Sequence, residues 1–502
     1  MNEFTPYIHN QLNDILSSLP LFRPELCLGI LFLLVLVTDL IFGKQSDWIV
    51  RILACGGLLF VLAADVAQYK VFSGYTVSSF FNNNLLLHHT AIVLKMIIDA
   101  AAVIILLYMP WDVSLQSHPK GLSDAYTVIV ASVLGMHLMV MSGTWLTIFL
   151  SVEMVSLASY LLVAYRSENS FSAEASLKYV LFGLASSAVM LYGISLFYGF
   201  TGTLALFDPK MVANLQQVSN SLSIGLAIVF ILAGLGFKLS LVPLHFWVPD
   251  VYQGAATPVT AFLSTLPKIA AFGMLINFLT PFITSVGFIT IFDFRLALSV
   301  AAIITLVAGN FAAIWQQNVK RMLAYSSIGH TGFGLMAIVT FSGQGITALN
   351  FYLAVYAIAN IAALGLVSFF ANAANAHTLN DYRGLGIKYP VASVSFVILV
   401  VSLTGLPVSA GFNAKLLVFS SVYSTYQQNH NIVLLLLLIT GALTTVVSLF
   451  YYIKVPLNLF LKKPEDHQEG KPVSVSLVVF CALSAFVVLF LGLFPNFLAK
   501  FL

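Results

Sequence analysis

The sequence predicts an all-α integral membrane protein with about fourteen transmembrane helices, two of them discontinuous. Of the 502 residues, 60% are hydrophobic and only 8% are charged, whereas about a quarter of the residues of an ordinary globular domain are charged. Apolar runs long enough to cross about 30 Å of hydrocarbon recur along the whole chain. Two of these runs are interrupted by proline and glycine close to a lysine, which predicts the broken helices.

The predicted spans follow a short amphipathic segment, residues 1–20, that has no features of a signal peptide. They lie at residues 21–43, 49–66, 91–109, 124–143, 145–165, 174–199, 223–247, 255–280, 296–316, 321–341, 345–374, 391–426, 431–452 and 474–496. Thirteen lysines and arginines fall in the loops after odd-numbered spans or at the span ends that face them, and five fall at the remaining loops and the termini. Because basic residues accumulate in cytoplasmic loops, we expect both termini on the outer, periplasmic face of a prokaryotic cytoplasmic membrane.

The two interrupted spans are the seventh and the twelfth. Lys238 precedes Pro243 by five residues in span seven, and Lys415 follows Pro407 by eight residues in span twelve. Spans an odd number apart cross the membrane in opposite directions, which predicts the inverted repeat common in transporters. We therefore expect a three-span N-terminal segment, two inverted five-helix repeats, and a cytoplasmic loop with a final span, at residues 1–123, 124–280, 296–452 and 453–502.

Four lysines belong to the predicted spans and not to the loops or span ends that face them: Lys95, Lys238, Lys268 and Lys415. A charge at the bilayer centre costs at least ~2.5 kcal/mol on insertion scales, so each lysine needs a partner or a function. Lys95 and Asp99 are four residues apart on one helical face, and we expect them to form an internal ion pair.

Glu153 has no opposite charge within one turn of its own helix. One interpretation is a single buried ion pair with a lysine of another helix. One acid cannot satisfy three lysines, however, and a chain of groups that exchange protons explains the excess better. His330, among hydroxyls and glycines, is the strongest histidine candidate for such a chain, whereas His245, just after the first break, is equally consistent with packing.

Other classes of function are not favoured. The three cysteines, Cys27, Cys55 and Cys481, are too far apart for a CxxC metal or cluster motif. The net charge is only +3, and no basic run is interleaved with aromatic residues as nucleic-acid binding would require.

Four long segments carry a family resemblance: GFKLSLVPLHFWVPDVYQGAATPVTAFLST, LPKIAAFG, NVKRMLAYSSIGHTGFGLMAI and TGLPVSAGFNAKLLVF. They resemble the antiporter-like membrane subunits of respiratory complex I, the bacterial proton-pumping NADH:quinone oxidoreductase, and their relatives in multisubunit cation/proton antiporters. The likeness runs through spans four to thirteen. Lysines at Lys268 and Lys415, and no long helical extension after the last span, favour the N branch of the family.

The resemblance implies a role for each residue that matches a family motif. Glu153 matches an acid that pairs with the lysine matched by Lys238 and modulates it. Lys268 matches a connecting lysine in the eighth span. Lys415 matches the lysine of the twelfth span, from which the proton leaves or passes to a neighbouring subunit.

The resemblance also implies a translocase subunit that moves protons through a Glu/Lys/His relay coupled to electron transfer elsewhere. Flavin, iron–sulfur clusters and quinone are then expected in partner subunits and not in this chain. The expected partners are neighbouring antiporter-like and small membrane subunits and the lipid bilayer. Two alternatives stay open: a subunit of a sodium/proton antiporter, and a scaffold in which the lysines only hold helices together.

Overall fold

The computed structural model describes residues 4–42, 47–72, 77–116, 121–218, 221–284, 292–463 and 474–501. Helices make up nearly all of it. They are α1 (Phe4–Ser18), α2 (Arg23–Phe42), α3 (Asp47–Val71), α4 (His89–Tyr108), α5 (Val113–Gln116), α6 (Ser123–Val140), α7 (Trp145–Val163), α8 (Ser170–Thr201), α9 (Pro209–Gln217), α10 (Ser221–Leu239), α11 (Trp247–Gly254), α12 (Thr257–Thr284), α13 (Phe294–Ile314), α14 (Val319–Ile338), α15 (Gly343–Ala374), α16 (Leu385–Lys388), α17 (Pro390–Thr404), α18 (Ala410–Asn429), α19 (Ile432–Tyr452), α20 (Lys454–Pro456), α21 (Val475–Leu493) and α22 (Asn496–Ala499).

The all-α membrane fold is confirmed. Within the described ranges, twelve helices are long and apolar enough to cross a membrane: α2, α3, α4, α6, α7, α8, α10, α12, α13, α15, α19 and α21. Each coincides with a predicted span. The predicted tenth span falls on α14, and the twelfth falls on α17 and α18. Residues 464–473 of the predicted cytoplasmic loop lie outside the described residues.

Helix α14 is less apolar than its neighbours because it carries serines, a histidine and three glycines. It is nonetheless buried along almost its whole length. The helices that pack around it, including α11, α13, α15 and α18, cover it on several sides. A helix enclosed in this way needs no hydrophobic face toward lipid, so polar side chains are tolerated where they find partners.

Helices α12 and α15 form the centre of the molecule. They are buried almost throughout and pack against each other. Helices α4 and α6 also pack on α12, and α17, α18 and α21 pack on α15. Side chains on the inner faces of α12 and α15 are therefore shielded from both lipid and water.

A short β-hairpin joins α3 to α4. Strand β1 (Ser78–Phe80) pairs antiparallel with β2 (Leu85–Leu87). The turn between them contains Phe81, Asn82 and Asn83 with positive φ angles, and asparagine adopts this conformation more readily than most residues. The hairpin marks one membrane end of the molecule, where α3 ends and α4 begins.

The first helix break separates α10 from α11. Ser240 has a φ of +63°, and the Val242–Pro243 peptide is cis. The backbone groups that the break releases find side-chain partners, because Val242 N–H donates to the Thr305 hydroxyl at 3.1 Å and the Trp247 indole donates to the Phe237 carbonyl at 3.3 Å. Broken backbone at membrane depth is tolerated when its polar groups are satisfied in this way.

The second break separates α17 from α18. Gly405 ends α17 with a φ of +86°, the left-handed conformation in which glycine commonly ends helices. The Gly411 N–H at the start of α18 donates to the Ser402 hydroxyl at 3.1 Å. The sequence placed both interruptions correctly, since proline and glycine act on the backbone locally.

Candidate functional site

Lys238 lies in the last turn of α10, directly before the first break, and is 6% exposed. Its Nζ donates a hydrogen bond to the hydroxyl of Ser156 on α7 at 2.5 Å. The same ammonium group lies 5.9 Å from the ring centre of Tyr160 and 5.7 Å from that of Phe237. Lys238 is thus held by a hydroxyl group and two aromatic faces, which are weak partners for a buried cation.

Glu153 is one helical turn before Ser156 on α7. Glu153 and Lys238 form no ion pair within 4 Å in the described part of the chain. The Glu153 Oε1 atom is buried and has no hydrogen-bond partner there. Ser156 therefore occupies the contact with Lys238 that the family resemblance assigns to Glu153.

Lys268 lies in the middle of α12 and is 3% exposed. Its Nζ donates to the Ser327 hydroxyl at 2.8 Å and contacts the Ser327 carbonyl at 3.2 Å and the Thr331 hydroxyl at 3.3 Å, all on α14. The Tyr356 hydroxyl of α15 donates to the same Ser327 hydroxyl at 2.8 Å. Lys268 therefore belongs to a polar network made of hydroxyls and one carbonyl.

His330 lies one turn further along α14 and uses both ring nitrogens. Nδ1 is 2.6 Å from the Tyr352 hydroxyl of α15, and Nε2 is 3.4 Å from the Tyr452 hydroxyl of α19. Tyr452 also contacts Ser326. A neutral imidazole has one donor and one acceptor nitrogen, and each tyrosine hydroxyl can either donate or accept, so this group can pass a proton in either direction.

Two small cavities lie on either side of His330, each with a volume of about 10 Å³, about the minimum for one water molecule. One also contacts Lys268, and the other contacts Lys415. His330, Tyr352 and Tyr356 line both. The histidine and the two tyrosines thus form the wall between the two lysines.

Lys415 lies near the start of α18 and is 5% exposed. Its Nζ donates to the Thr404 carbonyl, the last residue of α17, at 2.7 Å, and lies 4.5 Å from the ring centre of Phe333. The free carbonyls at a helix C-terminus carry partial negative charge and attract cations. The second break therefore supplies the partner of Lys415.

His245 lies inside the first break and is partly exposed. Its ring packs beside that of Phe246, with 4.8 Å between the ring centres, and its buried Nδ1 has no hydrogen-bond partner among the described residues. The structure thus leaves His245 apart from the network around His330.

The predicted residues form two groups. Lys268, His330 and Lys415 come together through shared cavities, and Glu153 and Lys238 are neighbours across α7 and α10. Within the described ranges no hydrogen bond joins the two groups directly. Helix α10, which carries Lys238, packs against α12, which carries Lys268.

The predicted ion pair between Lys95 and Asp99 is wrong. Lys95 Nζ instead lies 2.8 Å from Glu25 Oε1 and 2.8 Å from Asp65 Oδ1, while Asp99 contacts His137 at 3.0 Å. Helical side chains lean toward the helix N-terminus. Lys95 precedes Asp99, so its side chain leans away from that carboxylate along the helix, which is the less favourable order for such a pair, and its carboxylate partners come from α2 and α3.

Sequence reasoning missed the hydroxyl partners of the relay candidates. Tyr352 and Tyr356 are four residues apart on α15, which places both on one face of a helix that carries no charged residue. That spacing was the available signal. Ser156, Ser327 and Tyr452 gave none, because serine and tyrosine occur in many apolar helices as ordinary packed residues.

Asp250, on α11 outside the predicted spans, joins three helices. Its carboxylate lies 2.7 Å from Lys178 of α8 and 2.7 Å from Arg321 of α14. Partial burial alone would raise the pKa of Asp250, but the hydrogen bonds from Lys178 and Arg321 outweigh it and hold this pKa below its ordinary value. The interaction fixes α11 beside the break.

The best metal-ligand geometry among the described residues is that of Asp65, Asp99 and His137, whose ligand atoms lie within 4.8 Å of one another. His137 already contacts a carboxylate oxygen through each ring nitrogen. A metal would have to displace one of those contacts. The three cysteines are free and are not members of this group.

Comparisons with known proteins agree with the fold and the motifs. Residues 142–445 match the family described as "NADH:quinone oxidoreductase/Mrp antiporter, TM". A curated NADH-quinone oxidoreductase subunit N 2 of Chloroherpeton thalassium is 44% identical over 70% of this chain and 68% of its own length. The subunit N of Chlorobium chlorochromatii is 33% identical over 95% of this chain and 93% of its own. Among solved structures, a chain of respiratory complex I from Thermus thermophilus is similar with a TM-score of 0.78 and 28% identity, covering 95% of this chain and 98% of that one.

Proposed function

Because the chain belongs to the NADH:quinone oxidoreductase and Mrp antiporter family of membrane subunits, it is a proton-translocating membrane subunit of an NADH:quinone oxidoreductase, and we propose that its protons move through Glu153, Lys238, Lys268, His330 and Lys415. Its homologues and its fold place it in a bacterial inner membrane among other membrane subunits. The Mrp-type sodium/proton antiporter is the less supported alternative.

One observation carries the relay proposal. Lys238, Lys268 and Lys415 are buried, yet in the described structure their amines contact only hydroxyls, carbonyls and aromatic rings. Lys95, in contrast, has two carboxylates at 2.8 Å. A lysine needed only for packing is best neutralised by an acid. Lysines with neutral partners can lose and regain a proton without leaving an acid uncompensated.

In the first half of the relay, Lys238 exchanges its proton as its environment changes. Moving one charge against 100 mV needs ~2.3 kcal/mol, and a lysine pKa change of two corresponds to ~2.7 kcal/mol. A small movement of the Glu153 carboxylate toward or away from the Lys238 ammonium is of the right size. Ser156 holds the amine while the acid moves.

In the second half, the proton passes from Lys268 to Lys415 through the wall between them. Ser327 and Tyr356 connect Lys268 to the His330 side, and single waters in the two cavities would complete the contacts. Lys415 then holds the proton against the end of α17. His245 stays a candidate relay group at the first break, where it could join by way of water.

We further propose a water inlet at the membrane end where α12 begins. A cavity of about 740 Å³ there is lined by Asp112, Lys320 and His377, among others. Lys268 lies eleven residues into α12, roughly 16 Å from the start of the helix. The basic residues of the loops assign this end to the cytoplasm and both termini to the outer face.

The two breaks also support the proposed inverted repeats, residues 124–280 and 296–452, between the N-terminal segment 1–123 and the C-terminal segment 453–502. In each repeat a buried lysine lies beside the C-terminal end of a broken helix. We propose that flavin, iron–sulfur clusters and quinone are held by partner subunits, since the residues of this relay serve only proton transfer.

The test is Lys238→Ala in the assembled complex, with proton translocation and electron transfer measured together. The relay predicts that redox-coupled translocation is abolished or strongly reduced. Near-normal translocation in an assembled variant would exclude the relay. A scaffold predicts poor assembly with normal translocation in whatever complex forms, and a sodium/proton antiporter predicts that the chain does not co-purify with flavin- and cluster-bearing subunits.

A further inference from the structure

A second buried cluster of ionisable groups lies outside the proposed relay. It contains Glu25 of α2, Asp65 of α3, Lys95 and Asp99 of α4, and His137 of α6, and none of them is more than 1% exposed. Asp65 is six residues from the end of α3, roughly 9 Å along the helix. The cluster is therefore inside the molecule, toward the membrane end that carries the β-hairpin.

The five groups contact one another directly. Lys95 Nζ lies 2.8 Å from one oxygen of Glu25 and of Asp65. His137 lies 3.1 Å from Glu25 through Nδ1 and 3.0 Å from Asp99 through Nε2. An ionised carboxylate can only accept hydrogen bonds. His137 must therefore be a doubly protonated imidazolium, or one of the carboxyl groups must hold the proton itself.

The charges do not balance even when His137 is protonated. Three carboxylates then face two cations, which leaves one negative charge in a fully buried site. An uncompensated buried charge is strongly destabilising. One further positive charge is needed.

Carboxylate oxygens without hydrogen-bond partners indicate where the further positive charge binds. Lys95 Nζ is close to Asp65 Oδ1, but the angles are not those of a hydrogen bond, and neither Asp65 oxygen has a hydrogen-bond partner in the described chain. Glu25 Oε2 and Asp99 Oδ2 are also unpaired there. Ligand atoms of Asp65, Asp99 and His137 lie within 4.8 Å of one another. Asp65 is the one acid of the cluster in which neither oxygen has a hydrogen-bond partner among the described residues, although its Oδ1 forms an ion pair with Lys95.

We propose that this cluster is a proton-binding site, with one exchangeable proton carried by Asp65 and directed toward Asp99. The groups that face Asp65 are Glu25 from α2, Lys95 and Asp99 from α4, and His137 from α6. A proton suits this site better than a metal ion because both nitrogens of His137 are occupied and the Lys95 ammonium would repel a second cation. Protonated Asp65 can donate a hydrogen bond to a carboxylate, and the cluster then becomes neutral.

The site goes beyond the proposed relay but adjoins its helices. Helix α6, which supplies His137, packs against α7, which carries Glu153. Asn277 of α12, the helix of Lys268, donates to the Val140 carbonyl at the end of α6 at 2.7 Å and contacts His88 at the start of α4 at 2.9 Å. A proton bound here changes the charge beside both helices.

The test is infrared spectroscopy of the full chain in lipid nanodiscs during a pH titration, following the carbonyl stretch of protonated carboxyl groups. The wild type is expected to show a band that Asp65→Asn removes. The matched control is Asp208→Asn, at the N-cap of α9, where asparagine caps as well as aspartate. This control should keep the band. A spectrum of Asp65→Asn identical to the wild type would overturn the proposal.

A second variant and a second condition cover the other outcomes. Asp65→Glu keeps an acid at the site, so the band should remain at a shifted frequency. If Asp65→Asn does not fold, an unshifted band in Asp65→Glu would still overturn the proposal. Loss of the wild-type band at constant pH on adding Na⁺ or Mg²⁺ would show that the site binds a metal ion in place of the proton.

Discussion

His330 and Tyr352 are hydrogen-bonded across α14 and α15, with 2.6 Å between the ring Nδ1 and the hydroxyl oxygen. Both residues line the cavity beside Lys268 and the cavity beside Lys415. Among the described residues, this hydrogen bond therefore lies between the cavity that contacts Lys268 and the cavity that contacts Lys415. Loss of the His330–Tyr352 hydrogen bond should slow proton transfer while both lysines stay in place.

Tyr352→Phe tests that contact. Loss of one hydrogen bond costs ~0.5–1.5 kcal/mol, and each 1.36 kcal/mol is a factor of ten in rate, so we expect proton translocation to slow by roughly 2- to 10-fold. The measurement is proton translocation by the assembled complex in proteoliposomes. Tyr382→Phe is the matched control, because Tyr382 is fully buried and its hydroxyl has no partner among the described residues. Equal effects of the two variants would contradict a specific role for Tyr352.

Gly405→Ala tests the position of Lys415. A Cβ at Gly405 would lie 2.7 Å from Lys415 Cδ, so the lysine side chain must shift from its position against the Thr404 carbonyl. We expect translocation to fall severely in an assembled complex. Gly202→Ala is the control, since Gly202 also has a positive φ but a Cβ there meets nothing within 4 Å. Gly202→Ala should reduce the free energy of unfolding by about 1 kcal/mol, because alanine is strained at a positive φ, and proton translocation should stay normal.

Lys95→Met tests the corrected ion pairs. It leaves Glu25 and Asp65 facing each other without their cation, and removal of one partner from a buried pair costs ~3–5 kcal/mol. The thermal unfolding temperature of the purified chain should fall sharply. Glu174→Gln, which breaks the exposed contact with Lys178, should leave that temperature almost unchanged. An equally small effect of Lys95→Met would contradict the assignment.

Asp250→Asn tests the interaction beside the first break through its pH dependence. The folded-state pKa of Asp250 lies below its ordinary value of 3.8, so its ionised form stabilises the folded state above about pH 4, and this stability is lost as the pH falls through the folded-state pKa. Wild type should therefore exceed Asp250→Asn in unfolding temperature at neutral pH. The difference should shrink below about pH 4. A difference that stays constant down to pH 3 would show that packing, and not charge, explains it.

The fold was largely predictable because its determinants are local. Apolar runs, the basic residues of the loops, and the interruptions near Pro243 and Gly405 can each be read from a short window of sequence. Identification of the three lysines with neutral partners needed only the observation that they lie inside apolar spans.

The partners were not predictable, because they come from other helices. The sequence predicts Asp99 as the ion-pair partner of Lys95. The carboxylates that pair with Lys95 are instead those of Glu25 and Asp65, which are 70 and 30 residues away in the sequence. Both acids lie toward helix ends, where a charge is ordinary. The contact of Lys238 with Ser156, and not with Glu153, depends on the relative rotation of α7 and α10, which sequence periodicity does not determine.

The most direct test of the relay is the number of protons moved per electron pair by an assembled complex carrying Lys268→Met. Methionine fills a similar volume on the buried face of α12 but cannot carry a proton, so helix packing with α14 and α15 should persist. The relay predicts that electron transfer no longer drives a full complement of protons and the ratio falls. An unchanged ratio in a fully assembled variant would contradict it.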